Sequence, residues 1–167
     1  MTPAVADLVH LLVAAALTYA LGFERDLRGA PAGDRVFALI GVGAGIVGVL
    51  AVHGAPTALQ GALTGVGFIG AGLVFRQEQG HLEMIRGLTT AAAIFAAAAI
   101  GAAAGEGLLL LATAATAIAL LVLEVRYIPV LSLLDGRRWT SRFRDDDLPP
   151  GPGGAAADDP NREAGNH

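Results

Sequence analysis

The amino-acid sequence predicts an all-α, polytopic membrane protein with five transmembrane helices packed through Gly/Ala-rich faces. Of its 167 residues, 54% are hydrophobic and only 16% are charged, whereas an average soluble domain is about 25% charged. Five apolar runs alternate with short polar connections, and three of these runs contain no charged residue. Soluble helices keep a polar face towards water, so a soluble bundle is the weaker interpretation.

The predicted spans end where charged residues interrupt the apolar runs. A hydrocarbon core of about 30 Å requires roughly 20 helical residues, with about 17 as the lower limit. The runs that satisfy this length are 4–23, 36–52, 59–75, 88–104 and 108–125, within a transmembrane domain that we place at 1–128. We expect the first run to be retained rather than cleaved, because no basic side chain precedes it and no small-residue cleavage site follows it.

The arginines predict which end of each span is cytoplasmic. Three lie between the first two spans, two between the third and fourth, and five between the fifth span and residue 145. These arginines are Arg25, Arg28, Arg35, Arg76, Arg86, Arg126, Arg137, Arg138, Arg142 and Arg144. The connections at the opposite ends contain none. Since arginine is retained on the cytoplasmic side, we expect the N-terminus outside and the C-terminus inside.

The chain changes character after the fifth span. Segment 129–144 mixes apolar residues with arginines and Trp139, a composition typical of a basic segment at the membrane interface. Segment 145–167 holds six of the 15 acidic residues and a Pro/Gly-rich stretch. It cannot bury enough apolar surface to offset the entropy of ordering. We therefore predict a disordered, acidic cytoplasmic tail.

Several function classes are disfavoured by composition and motif content. No stretch forms a dense cationic face, so we expect no nucleic-acid partner. The chain contains no cysteine, which excludes a disulfide scaffold, a cysteine-based zinc site and a thiol enzyme. Neither Ser132 nor Ser141 lies in a G-x-S-x-G motif, and there is no H-E-x-x-H or Walker motif. We expect that the protein is not an enzyme.

We predict that glycine residues mediate the packing between helices. Spans two and four carry small residues four positions apart, including Gly41 and Gly45 in the former and Gly101 and Gly105 in the latter. Small residues at this spacing let helix backbones approach closely in lipid. We expect compact packing there, in preference to a ligand site.

The third span has a different glycine pattern, with Gly65, Gly67, Gly70 and Gly72 within eight residues. Each glycine in a straight helix costs roughly 1 kcal/mol relative to alanine. This density predicts a close helix crossing, with a kinked or broken helix whose exposed carbonyls could coordinate a cation.

The charged residues at the arginine-bearing end admit two interpretations. They form exposed pairs, each contributing under about 1 kcal/mol, or Glu24 lies at an embedded helix end and pairs with Arg35 or Arg86. Glu24 is also the one residue that we consider as a metal ligand, and we predict no firm metal site. The motif match described below favours the buried pair.

Two further polar groups lie near span ends. Thr89 and Thr90 follow Gly87 at the start of span four, where threonine hydroxyls can cap free backbone N–H groups; contact with an ion or a partner is the alternative. Asp7 and His10 lie near the other end of span one, and we place them in the headgroup zone in preference to a proton relay.

Three segments, in this order, resemble the MgtC/SapB family of bacterial inner-membrane proteins. Residues 22–35 are similar to G-x-E-R-E-x-x-G-K-x-A-G-L-R, residues 64–72 to T-G-I-G-F-L-G-A-G, and residues 86–92 to R-G-L-T-T-A-A. The candidate functional or structural residues that match are Glu24, Arg25, Gly29, Gly33, Arg35, Gly65, Gly67, Gly70, Gly72, Arg86, Gly87, Thr89 and Thr90. Asp26 stands where the family has Glu, and Ala30 where it has Lys.

The resemblance implies a multi-pass protein of the bacterial inner membrane that takes part in adaptation to low Mg²⁺ and modulates other membrane complexes. Longer members end in an ACT-like domain, and we expect only the short tail here. Expected partners are the lipid bilayer and other membrane proteins; a homo-oligomer stays open, as does Mg²⁺ binding, and no cofactor is expected. The alternative is an ion transporter or channel, with Mg²⁺ as first candidate. It is weaker, because Asp7, Glu24 and Glu124 all lie near span ends.

Overall fold

The computed structural model describes residues 2–75 and 87–124, and these residues form five α-helices and no strand. The helices are α1 (Pro3–Leu27), α2 (Asp34–Val52), α3 (Thr57–Phe75), α4 (Leu88–Gly105) and α5 (Leu109–Glu124). The first four are long and apolar enough to cross a membrane, and α5, with 16 residues, is shorter. The predicted all-α class is confirmed. The predicted segments 129–144 and 145–167 lie outside the described residues.

Helix α4 is the centre of the bundle. It packs against all four other helices, and α1 and α2 complete the core around it. Of the residues of α4, 56% are buried, whereas only 6% of the residues of Thr57–Val74 in α3 are buried. The largest fully buried side chains are Leu21, Phe37, Ile94 and Thr18. Helices α3 and α5 therefore lie at the periphery, each against α4 and one further helix.

A tight turn joins α1 to α2. The backbone N–H groups of Gly29 and Ala30 donate to the carbonyls of Asp26 and Arg25, which satisfies the free carbonyls at the end of α1. Gly29 adopts φ +65°, a left-handed conformation that glycine reaches without a Cβ penalty. Ala32 is buried in this turn, so the connection packs onto the bundle instead of looping into solvent.

Helices α2 and α4 pack against each other at glycine residues. A Cβ built on Gly101 would lie 2.5 Å from the carbonyl oxygen of Gly41, and a Cβ on Gly105 would overlap the carbonyl of Gly45. Gly48 meets the carbonyl of Ala102 in the same way. The backbones of the two helices are therefore in direct contact, as small residues permit in lipid. The compact packing predicted for spans two and four is confirmed.

The broken helix predicted for span three is wrong, and the close crossing predicted there is found at Gly70 alone among its four glycines. Helix α3 is uninterrupted from Thr57 to Phe75, so its carbonyls accept the hydrogen bonds of a regular α-helix. Gly70 faces a neighbour, at an ordinary 3.5 Å from the Cβ of Ala91. A Cβ added to Gly65, Gly67 or Gly72 would meet no other part of the described chain within 4 Å. The physical reason is that α3 lies at the periphery with its glycine-rich side turned outward.

Alanine at Gly65 is therefore expected to stabilise the bundle. With open space around the position, the substitution removes the conformational freedom of glycine in the unfolded chain and gains about 0.5–1 kcal/mol. Thermal unfolding of the detergent-solubilised protein measures this as a higher Tm. Gly70→Ala is the comparison, because an added Cβ there meets the Cβ of Ala91 at an ordinary 3.5 Å. A lower Tm for Gly65→Ala would contradict the open position.

Candidate functional site

Polar side chains of α1, α2 and α5 converge at the arginine-bearing end of the bundle. We name this group the arginine-end cluster. Its members are Glu24, Arg25, Asp26, Arg28, Asp34, Arg35 and Glu124, and Gly33 lies beside them. Most of them come from the last turn of α1 and the first turn of α2, which the tight turn holds side by side, and Glu124 comes from the last turn of α5.

Glu24 and Arg25 form a buried, two-bond ion pair. The Nε and Nη2 groups of Arg25 donate to the two carboxylate oxygens of Glu24 at 2.5 and 2.7 Å. The residues are only 6% and 7% exposed, and an isolated charge at such burial would be strongly unfavourable. Bidentate geometry is what makes a guanidinium–carboxylate pair stable in a poorly hydrated position.

The predicted pairing of Glu24 with Arg35 or Arg86 is wrong for Arg35, and Arg86 lies outside the described residues. Glu24 instead contacts Arg25 and, at 3.5 Å, the Nε of Arg28. Arg35 is exposed on the first turn of α2. Arg28, one helical turn away along α1, reaches Glu24 without bridging to another helix, and the long side chain of Arg25 folds back onto its neighbour.

Arg28 joins α1 to the far end of the described chain. Its Nη2 group donates to both carboxylate oxygens of Glu124 at 2.7 and 2.6 Å, across 96 residues of sequence. One guanidinium therefore bridges a carboxylate on α1 and a carboxylate on α5. This contact is not predicted from the sequence, in which the one signal is that Glu124 is the single acid in the fifth span.

Asp26 caps the start of α2. Its carboxylate accepts the backbone N–H of Asp34 at 2.9 Å, and a Cβ on Gly33 would overlap that carboxylate. Asp34 in turn accepts the N–H of Arg35 at 2.6 Å. Two carboxylates thus satisfy free donors at a helix N-terminus, where negative charge is favourable. Gly33 leaves the space that the Asp26 carboxylate occupies.

The predicted capping role of Thr89 and Thr90 is wrong. Gly87 occupies the N-cap position of α4 with φ +96°, and its carbonyl accepts the N–H of Ala91 at 2.8 Å. The threonines lie inside the first turn, so neither hydroxyl caps the helix. Thr90 is buried in the bundle, whereas Thr89 lines an apolar cavity between α1, α4 and α5.

A second polar contact lies at the opposite end of the bundle. The Nε2 of His53, at the end of α2, is 3.1 Å from Oδ2 of Asp7 on α1. The sequence placed Asp7 and His10 in the headgroup zone without linking either to His53, because 46 residues separate the partners.

The arginine-end cluster connects the ends of helices through ion pairs and carboxylate hydrogen bonds. Among residues 2–75 and 87–124, no group of three or more histidine, aspartate or glutamate side chains could hold a metal ion. Both carboxylate oxygens of Glu24 are already engaged by guanidinium groups. Mg²⁺ requires about six oxygen ligands in an octahedron, so a cation at Glu24 would have to displace Arg25 and Arg28.

The apolar helices and their ion-paired ends define a multi-pass helical membrane protein. The MgtC family model matches residues 11–128, and this chain therefore belongs to the MgtC family. The resemblance carried by the three motif segments is confirmed. No solved structure matches the chain.

The chain is similar to several curated relatives. It is 37% identical over 131 residues to YhiD of Escherichia coli (strain K12), whose name describes a candidate magnesium transporter, across 71% of this chain and 59% of YhiD. It is 34% identical to Protein SrpB of Synechococcus elongatus, across 69% of this chain and 71% of SrpB. It is 39% identical to Protein MgtC of Brucella abortus (strain 2308), across 58% of this chain and 41% of that protein. The chain thus spans about three fifths of the length of YhiD.

Proposed function

We propose that this chain is a non-enzymatic protein of the bacterial inner membrane that takes part in Mg²⁺ homeostasis by packing against other membrane proteins and modulating them. The link to magnesium comes from family membership and from the name of the relative YhiD. Two features of the described helices support the modulating role. The first is the tight contact between α2 and α4, and the second is the exposed glycine face of α3.

The interior supports modulation over transport, and this observation carries the proposal. Helices α2 and α4 are in backbone contact at Gly48, Gly101 and Gly105, where there is no room even for a methyl group. A hydrated or partly dehydrated Mg²⁺ needs far more space and several oxygen ligands. Around this contact the core is filled by apolar side chains such as Phe37 and Ile94.

The outer face of α3 supports contact with another membrane protein. Gly61, Gly65 and Gly72 lie on one side of this helix and have no neighbour within the described chain. Phe68, on the same side, is 83% exposed. Small residues on a lipid-facing helix provide close-approach surface for a partner helix. Within this same chain, the glycines of α2 and α4 serve that purpose.

A flux assay tests the proposal against transport. The full chain is reconstituted in liposomes that contain a Mg²⁺-sensitive dye, with protein-free liposomes as the control. We expect no Mg²⁺ entry above the control, because the described helices α2 and α4 are packed backbone to backbone where they cross. Saturable Mg²⁺ flux above the control would instead establish the alternative, a Mg²⁺ transporter or channel, which the name of YhiD favours.

Cysteine cross-linking tests the contact surface. The chain contains no cysteine, so each introduced cysteine reports on one position. We expect Gly65→Cys in native membranes to form adducts of higher mass when a bifunctional thiol- and amine-reactive reagent is added. Leu110→Cys on α5, which is 85% exposed, is the matched control. Mass spectrometry of the adduct distinguishes a second copy from a different protein, and equal labelling at both positions would contradict a specific α3 surface.

A further inference from the structure

A narrow apolar groove lies between α4 and α5 on the outside of the bundle. It consists of two cavities that meet at Ala96, which lines both of them, and we name it the α4–α5 groove. Its floor is formed by Leu21 and Ile100, which are buried, and its rim includes Leu111 and Val122, which are exposed. The groove is therefore open on the side that faces the bilayer.

Small side chains keep the two helices apart without filling the space between them. Along α4 the groove is lined at successive turns by Thr89, Ala92, Ala96, Ala99 and Ala103. On the opposite wall, Ala115 and Ala119 of α5 face it. A methyl group is too short to reach across, so the groove extends over most of the length of both helices.

The width of the groove decides what can occupy it. The two cavities have volumes of 210 and 280 Å³. Each follows seven residues of α4, or about 10 Å, so each volume corresponds to a channel about 5–6 Å wide, whereas a helix with its side chains is about 10–12 Å across. A partner helix cannot enter such a channel, but a single hydrocarbon chain can. A polar occupant would lose its hydrogen bonds on an apolar lining.

We propose that the α4–α5 groove binds one acyl chain of a phospholipid, with the phosphate at the arginine-bearing end. Leu123, at that end of the groove, precedes Glu124, whose carboxylate is bonded to Arg28. A guanidinium attracts phosphate oxygens, and the side chain of Arg28 is 32% exposed. At the other end, α4 finishes at Glu106, whose negative charge disfavours a phosphate.

The polar lining of the groove agrees with this orientation. Among the described residues that line the two cavities, Thr89 alone is polar, and it lies at the arginine-bearing end. Its hydroxyl can donate to the ester carbonyl that joins an acyl chain to the headgroup. From Thr89 to Ala103, the lining of the groove is apolar.

The length of the groove distinguishes a bound chain from ordinary surrounding lipid. From Thr89 to Ala103 it extends about 20 Å along α4. A lipid that is not bound reaches only to the midplane, at about 15 Å, which is half of the hydrocarbon thickness. An acyl chain in the groove therefore carries its terminal methyl past the midplane, to the region of Ala103 and Leu111.

Photolabelling of the full chain tests the site. The protein is reconstituted in vesicles of phosphatidylethanolamine and phosphatidylglycerol that contain a trace of phosphatidylglycerol with a diazirine at the end of one acyl chain. After illumination, mass spectrometry of peptides locates the adducts. We expect them to concentrate at Ala103 and Leu111. Adducts distributed equally over the exposed faces of α1 and α3, or concentrated at Thr89 and Val122, would overturn the proposal.

Substitutions that block the groove give the matched comparison. Ala115→Phe inserts a ring into the groove, and it is expected to abolish the adducts at Ala103 and Leu111. Ala114→Phe is the control, because Ala114 is the neighbouring exposed position on α5 and does not line either cavity. Ala99→Phe, at an exposed lining position of α4, blocks the groove from the other wall and keeps the test valid if Ala115→Phe does not fold. Unchanged adducts in a folded blocking variant would refute the site.

Discussion

Leucine at Gly101 is expected to prevent α2 and α4 from packing and to abolish the folded bundle. A Cβ at this position would lie 2.5 Å from the carbonyl oxygen of Gly41 and 2.9 Å from its Cα. These are backbone atoms, so the conflict is relieved only by moving the helices apart. Overpacking in a core costs about 1–3 kcal/mol even where side chains can adjust, and Gly101→Ala alone is expected to lose that amount or more.

Size-exclusion chromatography and thermal unfolding in detergent measure this effect. Gly101→Leu is expected to elute as aggregate, and Gly101→Ala to melt at a clearly lower temperature than the unmodified protein. Gly65→Leu is the matched control, since the same side chain is added to a helix position with open space around it. A Gly101→Leu protein that elutes and melts like the unmodified chain would refute the backbone contact.

Removal of the Glu24 side chain is expected to be the most damaging change at the arginine-end cluster. In Glu24→Ala, the guanidinium of Arg25, a residue only 7% exposed, loses both of its hydrogen bonds to that carboxylate. Breaking a buried ion pair from one side typically costs about 3–5 kcal/mol, because the remaining charge is left without compensation. The measured quantity is the Tm in detergent, which is expected to fall well beyond the error of the measurement.

The double variant Glu24→Gln, Arg25→Gln separates this explanation from a general loss of packing. It removes both charges, so it is expected to be more stable than Glu24→Ala. Glu124→Gln is the contrasting control, since its partner Arg28 is 32% exposed at the side chain and such pairs contribute under about 1 kcal/mol. If Glu24→Ala and Glu124→Gln lowered the Tm equally, burial would not explain the contribution of the Glu24–Arg25 pair to stability.

The helices were predictable because membrane insertion acts on local sequence. A run such as 36–52 is apolar along its whole length, and this property does not depend on which neighbours the helix later acquires. The observed α2, Asp34–Val52, differs from that run by two residues at its start. At that position the carboxylate of Asp26 on α1 accepts the backbone N–H of Asp34 and so extends the start of α2. The sequence around 36–52 does not contain this contact.

The candidate site was predictable in its members but not in its pairings. Glu24 and Arg25 were selected by their motif and their position at a helix end, and both are buried in the structure. Their mutual pairing was missed because adjacent residues on a helix are not expected to face one another. Here the long Arg25 side chain folds back onto its neighbour. The contact of Arg28 with Glu124 joins residues that no sequence spacing relates.

Composition and charge placement by themselves determined that this chain is helical, lipid-embedded and charged differently at its two ends, because hydropathy and charge are sums over neighbouring residues. Only the tertiary structure decided which glycines are contacts and which are exposed. Gly48 of α2 and Gly101 and Gly105 of α4 contact the backbone of the other helix, whereas most glycines of the denser α3 pattern contact no neighbour. The physical reason is that a glycine allows close packing only where another backbone lies opposite to it. The rotation and position of each helix decide whether such a backbone is present.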